Sequence, residues 1–198
     1  IYVGVEVGIP NFANLFMTSP EINIDPTIAG SVVGTYWFLM MIGRLCGASI
    51  GAKVSSRAML TVVSTVGIVL VLGAIFCADN ILVNMPVFKS DISFGFAQVP
   101  INVMLLILCG LCTSVMWGGI FNLAVEGLGK YTAAASGLFM VMVCGGGILP
   151  LIQGGVADFA GFLNSYWVIA LGLAYILFYA AIGSKNVNTD IPTDDYEA

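Results

Sequence analysis

Long apolar runs, separated by short clusters of charged and turn-forming residues, dominate this chain. Unbroken hydrophobic stretches occupy 1–17, 28–51, 58–78, 100–123, 133–157 and 163–183, and most of the charged residues lie between them. A bilayer core of about 30 Å is crossed by about 20 helical residues at 1.5 Å rise, so the spacing predicts six transmembrane helices. Barrel strands would instead alternate apolar and polar positions over about 10 residues, and these runs do not alternate. The pattern therefore reads as an all-α integral membrane protein, a six-helix bundle over 1–183. Beyond it, 184–198 is polar, contains Asp190, Asp194, Asp195 and Glu197, and reads as a flexible acidic tail.

Composition strengthens that reading. The chain is 59% hydrophobic and 9% charged over 198 residues, with a mean hydropathy of +1.02, whereas soluble domains carry about 25% charged side chains. The first run is short and begins without Met or a basic flank, and it has no small-residue cleavage site of the secretory kind. Ile1 is therefore expected to be an internal position of a longer, or incompletely covered, polypeptide. Cytoplasmic loops retain Lys and Arg. Placing the tail inside puts Arg44, Lys53, Arg57, Lys130 and Lys185 on the inner side and Lys89 alone outside. Glu21, Asp25, Asp79, Asp91 and Asp158 then lie outside. The net charge of −5 calls for no cationic partner, and six scattered cations make no basic face for nucleic acid.

The chemistry of hydrolases and metalloproteins is largely excluded. There is no His among the 198 residues, no paired carboxylates and no H-E-x-x-H. Cys109 and Cys112 form a C-x-x-C inside an apolar helix, where small packing residues are the expected reading. No cofactor and no metal ligand set are predicted, and the chain is not read as an enzyme.

Polar side chains at membrane depth carry what remains. Glu6 is a carboxylate within an apolar segment. Such a group costs roughly 2.5–3.5 kcal/mol even on lenient insertion scales, so it usually faces a cavity, a partner or a proton path. At about 100° per residue, Glu6, Asn11 and Asn14 fall within an arc of about 140° on one side of the first helix, with Pro10 between them. Carboxamides suit a polyhydroxylated neutral ligand, and a partly desolvated acid suits proton coupling. Tyr36, Trp37, Trp117 and Asn122 lie well inside their spans rather than at the interfacial belt occupied by Tyr166 and Trp167, and join the candidate substrate site. Arg44 is expected to be structural, snorkelling or pairing with Glu126. Gly4, Gly8, Gly43, Gly47 and Gly51 stand at four-residue spacing that allows close helix approach in lipid. Gly145, Gly146 and Gly147 precede Pro150, and GGGILP predicts a bent or broken fifth span that could act as a gate.

Four strings carry a resemblance beyond these readings. YVGVEVG at 2–8, GRLCG at 43–47, EGLGKYT at 126–132 and PLIQGGVAD at 150–158 together resemble the carboxyl-terminal half of the fucose permease (fucose:proton symporter) family of the major facilitator superfamily. The resemblance implies that the spans are helices seven to twelve, with both ends cytoplasmic. It implies proton-driven uptake of a neutral monosaccharide such as fucose, glucose or galactose across a bacterial inner membrane, with an amino-terminal six-helix half completing the cavity. The best-known proton-linked acids of that family lie in the other half, so none transfers to this chain. Glu6 is similar to a helix-seven acid, and its direct role in coupling is an expectation of this reading. The stretch 79–99, with Phe88, Phe94 and Phe96, departs from the short outer loop expected there; it is read as surface packing, a cap over the cavity or a membrane-surface segment. Two alternatives stand beside the transporter half: a self-standing six-helix unit that dimerises, and a non-transporting membrane subunit whose polar residues join helices.

Overall fold

The computed structural model describes residues 1–78, 80–89 and 91–185. The tail residues Asp190, Asp194, Asp195 and Glu197, and Asp79 in the long loop, lie outside the described residues.

Each apolar run folds as helix. In order these are α1 (Tyr2–Thr18), α2 (Pro26–Gly51), α3 (Ser56–Phe76), α4 (Ile101–Thr113), α5 (Met116–Val125), α6 (Thr132–Val141), α7 (Gly145–Ala160) and α8 (Phe162–Phe178), the last continuing into a wider turn at Tyr179–Gly183. The fourth run is thus two helices, α4 and α5, and the fifth is also two, α6 and α7. Five runs are long and apolar enough to cross a membrane: Pro26–Gly51, Ser56–Phe76, Ile101–Val125, Gly129–Ala160 and Phe162–Gly183. α1 has 17 residues. The outward surface is itself apolar, with Val62, Val69, Phe76, Leu151, Phe159 and Leu171 exposed, as a lipid-bathed bundle requires.

Local chemistry sets the helix ends. Asp25 caps α2 by accepting the Thr27 backbone N–H at 2.8 Å, a bond that holds its exposed carboxyl below the ordinary carboxylate range. Pro26 follows at the first helical position, where its missing N–H has no partner to lose. Ser55 does the same for α3, accepting from the Ala58 N–H.

The helices close a ring in the order α2, α4, α3, α8, α7, α1, with α1 returning to α2 and also touching α4 and α8. Without a solvent-driven apolar force, close packing and hydrogen bonds must hold such a ring. Glycine supplies the closeness at two seams. On α1, a Cβ at Gly4 would overlap Leu149, and one at Gly8 would overlap the amide of Gln153, both on α7. On α2, a Cβ at Gly43 would overlap Ser114, and one at Gly47 would overlap Val115. Gly51, expected in the same stripe, faces open space.

The stretch between the third and fourth runs is not irregular. It forms a two-stranded antiparallel hairpin, β1 (Leu82–Phe88) and β2 (Phe94–Pro100), in register from Leu82 opposite Pro100 to Phe88 opposite Phe94. Met85, Val87, Ala97 and Val99 alternate inward and are buried, the period-two pattern of a half-buried strand. The hairpin lies on α2: the Phe88 N–H donates to Thr35 Oγ1 at 2.8 Å, and Phe38 stacks on Phe88 with centroids 4.8 Å apart while Phe94 meets both edge-on. At the tip, Ile92 takes a φ of 63°, a left-handed conformation rare for a β-branched residue.

Candidate functional site

Two helix interruptions meet a cavity of about 810 Å³. Its walls are Val3 and Glu6 of α1, Arg44, Gly47 and Ala48 of α2, Ser56 and Met59 of α3, Ser114 and Val115 at the break in the fourth run, Trp117 and Asn122 of α5, and Met140 and Val143 of the fifth run. The volume falls within the roughly 300–1,000 Å³ typical of small-ligand sites. A second cavity of about 350 Å³ adjoins it, sharing Val3, Trp117 and Val143, and its further walls are chiefly apolar and aromatic.

The first interruption follows from Pro10. In an unbroken helix the N–H of residue 10 would bond the carbonyl of Glu6, but proline has no N–H. The freed Glu6 carbonyl accepts the Tyr36 hydroxyl instead, at 3.1 Å. Three residues further on, the Ile9 carbonyl accepts the Tyr166 hydroxyl at 2.8 Å, so phenols from α2 and α8 grip the first helix around its proline.

The second interruption is the gap between α4 and α5. The helical ladder stops at Thr113, and that residue's carbonyl accepts the Tyr2 hydroxyl at 2.9 Å. Ser114 turns its hydroxyl back to the Leu111 carbonyl at 2.6 Å, a back-bond that bends helices. Gly43 and Gly47 of α2 give the displaced Ser114 and Val115 room. A third irregularity, the tight turn Met142–Cys144, separates α6 from α7 and brings Val143 to both cavities.

Charge enters at one place. Arg44 Nη2 stands 3.3 Å from Glu6 Oε1, with side-chain exposures of 57% and 13%. Arg44 was expected to snorkel or to pair with Glu126; packing of α2 on α1 gives it Glu6. Because the cation is more than half exposed, the pair belongs with solvent-accessible ion pairs worth about 1 kcal/mol or less. A contact that weak can open and close.

The other expected site residues divide. Trp117 lines the cavity, its ring flanked by Tyr2 at 5.9 Å and Phe139 at 5.2 Å. Asn122 lines it too and donates to Ser56 Oγ at 3.4 Å. Asn11 is exposed and Asn14 half-buried on α1 beyond Pro10, and neither is among the cavity's walls. Tyr36 is fully buried, its hydroxyl bonded to Glu6 and Thr113. Trp37 packs edge-on against Tyr36 and is 43% exposed, also outside the cavity walls. Gly145, Gly146 and Gly147 open α7 directly after the tight turn, and α7 continues through Pro150. Cys109 and Cys112 are buried free thiols in α4. Pattern reading passed over Tyr2 and Thr113, and took Arg44 as structural rather than as a wall of the cavity. The proline four residues after Glu6 announces a carbonyl in need of a donor, which is Tyr36; no local pattern marks the Tyr2–Thr113 contact.

Comparison with known proteins bears on this geometry. No family model matches the chain. Over 187 residues, 94% of its length, it is 29% identical to the glucose/galactose transporter of Brucella abortus biovar 1 (strain 9-941). It is 32% identical over 92 residues to the L-fucose-proton symporter of Escherichia coli (strain K12), covering 46% of this chain and 21% of that protein. The chain is homologous to sugar transporters of the major facilitator type. It spans about 40% of the length of the glucose/galactose transporter it matches, a share consistent with one six-helix half. Its relatives are sugar transporters rather than enzymes, and its several long apolar helices make it a multi-pass membrane protein.

Proposed function

We propose that this chain forms the carboxyl-terminal six-helix half of a proton-coupled importer of a neutral monosaccharide of the glucose, galactose or fucose class. An amino-terminal six-helix half of the same transporter completes the cavity, and the two halves rock about it in alternating access. The membrane is the bacterial inner membrane, with the carboxyl terminus cytoplasmic, as the distribution of Lys and Arg favours.

The observation that carries this reading is the composition of the larger cavity. A carboxylate and a guanidinium in contact bring no net charge, a tryptophan offers an aromatic face, and Asn122 and Ser56 offer hydrogen-bond partners. That set fits a neutral polyhydroxylated ligand. Glu6 is the proton-coupling candidate on this chain, and Arg44 is its counter-charge. Trp117 and Asn122 hold sugar from this half, and Asn11, Asn14 and Trp37, on exposed or half-exposed positions, complete the proposed substrate set, while the fully buried Tyr36 supports the site from behind without touching sugar. The Met142–Cys144 turn with Gly145, Gly146, Gly147 and Pro150 forms the flexing segment.

The test uses the full-length protein in proteoliposomes with labelled glucose, galactose and fucose. An imposed inward proton gradient should drive accumulation of at least one of them above the level reached without a gradient. Failure of all three to accumulate overturns the reading. Glu6→Gln should remove the pH dependence of uptake while sparing sugar-for-sugar exchange; unchanged proton coupling would show Glu6 to be structural.

A further inference from the structure

Glu6 is held twice from α2, by its carboxylate and by its backbone, and only the first of these faces the cavity. The backbone contact belongs to a polar bridge that crosses three helices inside the bundle. The Tyr36 phenol has one proton, and the Glu6 carbonyl, which cannot donate, takes it at 3.1 Å. Thr113 Oγ1 stands 3.0 Å from the same phenolic oxygen and also 3.2 and 3.3 Å from the Cys109 and Gly110 carbonyls of its own helix, so its one proton is shared between the phenol and the end of α4. Thr113 in turn offers its own carbonyl to Tyr2 at 2.9 Å, and Tyr2 lies one helical turn before Glu6. The bridge thus links the carbonyl freed by Pro10 to the carbonyl at the end of α4. Its surroundings are rigid: Tyr36 is fully buried, Thr113 is 1% exposed, and a Cβ at Gly110 would come within 2.6 Å of the Tyr36 carbonyl. Buried polar chains of this kind hold one arrangement while every member is satisfied.

We infer that Tyr36, Thr113 and Tyr2 are positioning residues that couple the first helix, at the carbonyl Pro10 leaves free, to the break in the fourth run at Ser114 and Val115, so that the two cavity walls move together. This rests on the transport reading for its functional consequence but not for the coupling itself. A hinge in α1 that moved independently would break the Tyr36 bond to the Glu6 carbonyl inside an apolar bundle, where an orphaned carbonyl is expensive. Moving with the fourth run keeps the bond. Glu6 then delivers its carboxylate to Arg44 in step with Ser114, Val115 and Trp117 on the facing wall.

Two measurements on the full-length protein test this separately. Tyr36→Phe keeps the ring and removes the hydroxyl. By amide hydrogen exchange it should raise the rates at 7–12 and at 114–118 together; a change confined to one of these segments overturns the coupling, whatever the protein transports. In proteoliposomes the same variant should lower maximal sugar uptake about tenfold with the half-saturating sugar concentration little changed. Pro10→Ala added to Tyr36→Phe restores an N–H to the Glu6 carbonyl. Thermal stability should return while uptake stays low. Full recovery of uptake in that double variant would reduce Tyr36 to the satisfaction of one carbonyl and overturn the inference. Thr113→Val, close in shape to threonine, serves as the independent variant and should reproduce the exchange pattern of Tyr36→Phe; normal exchange at 7–12 would count against the bridge. If wild-type protein transports none of the sugars, the transport reading fails while the exchange result still decides the coupling.

Discussion

The third and fourth apolar runs are neighbours, nearly equal in length and both rich in branched aliphatic residues, yet only one is a single helix. α3 runs unbroken for 21 residues, whereas the fourth run breaks into α4 and α5 between Thr113 and Met116. The fourth run has no proline within Ile101–Val125 to explain this. The difference lies in what each one meets. α3 packs on α4, α5 and α8, with Leu60 set against Gly119 of α5 and Val71 buried. The fourth run meets the glycine stripe of α2, which leaves room for a displaced backbone at Ser114 and Val115, and the Tyr2 hydroxyl, which donates to the freed carbonyl of Thr113. Continuity is the default for an apolar helix in lipid, and interruption appears where neighbours re-satisfy the freed groups. The braced side therefore supplies stability, and the interrupted side supplies the cavity.

The largest expected effect tests the braced side. Leu173, 1% exposed on α8 and next to Gly67 of α3, should cost about 2–5 kcal/mol of stability on replacement by Ala. Thermal unfolding in detergent reads this, and the pH profile of uptake by the surviving protein should be unchanged. A smaller loss is expected where the break is seated. Gly43→Leu would overfill the space beside Ser114, costing about 1–3 kcal/mol, and should alter amide exchange at 114–118 while leaving α3 unaffected; equal effects on both would erase the distinction between the runs. Next comes the cavity wall. Trp117→Ala or Asn122→Ala should weaken sugar binding by about 1 kcal/mol or more, the scale of one lost hydrogen bond. Calorimetry on the full-length protein with Asn14→Ala alongside asks whether α1 beyond Pro10 belongs to the sugar site: an equal loss would extend the site past the proline. Arg44→Gln should act most gently. Removing the cation from a pair worth about 1 kcal/mol or less should change uptake by less than about fivefold at any one pH. A loss of proton coupling as complete as that of Glu6→Gln would show that Arg44 does more than face Glu6.

Much of the helical layout was legible because apolar runs and charge clusters encode it directly. Asp25 and Ser55 mark helix starts, and the fifth run's glycines lie next to its turn. That turn nonetheless falls at Met142–Cys144, ahead of the glycines rather than at Pro150, because α7 carries the proline within a continuing helix. The hairpin was not legible as strands: in LVNMPVF and FGFAQVP apolar residues stand on both faces, so the period-two burial of Met85, Val87, Ala97 and Val99 is hidden within runs of seven. The site was legible one helix at a time. Glu6, Trp117 and Asn122 stand out locally, but the Glu6–Arg44 contact joins residues 38 apart, and the Tyr2–Thr113 bond joins residues 111 apart. No periodicity reports which faces of two helices will meet. Asn11 and Asn14 show the converse: they share a broad arc with Glu6, yet only Glu6 is among the walls of the larger cavity.

The missing amide at Pro10 has a consequence for inheritance. It makes positions 10 and 36 a linked pair for stability across lineages: a descendant that replaced the proline would restore the Glu6 carbonyl's own donor and remove the folding cost of losing the Tyr36 hydroxyl. Phenylalanine at 36 should then cost less stability beside a non-proline at 10 than beside a proline, while selection for uptake still favours the tyrosine.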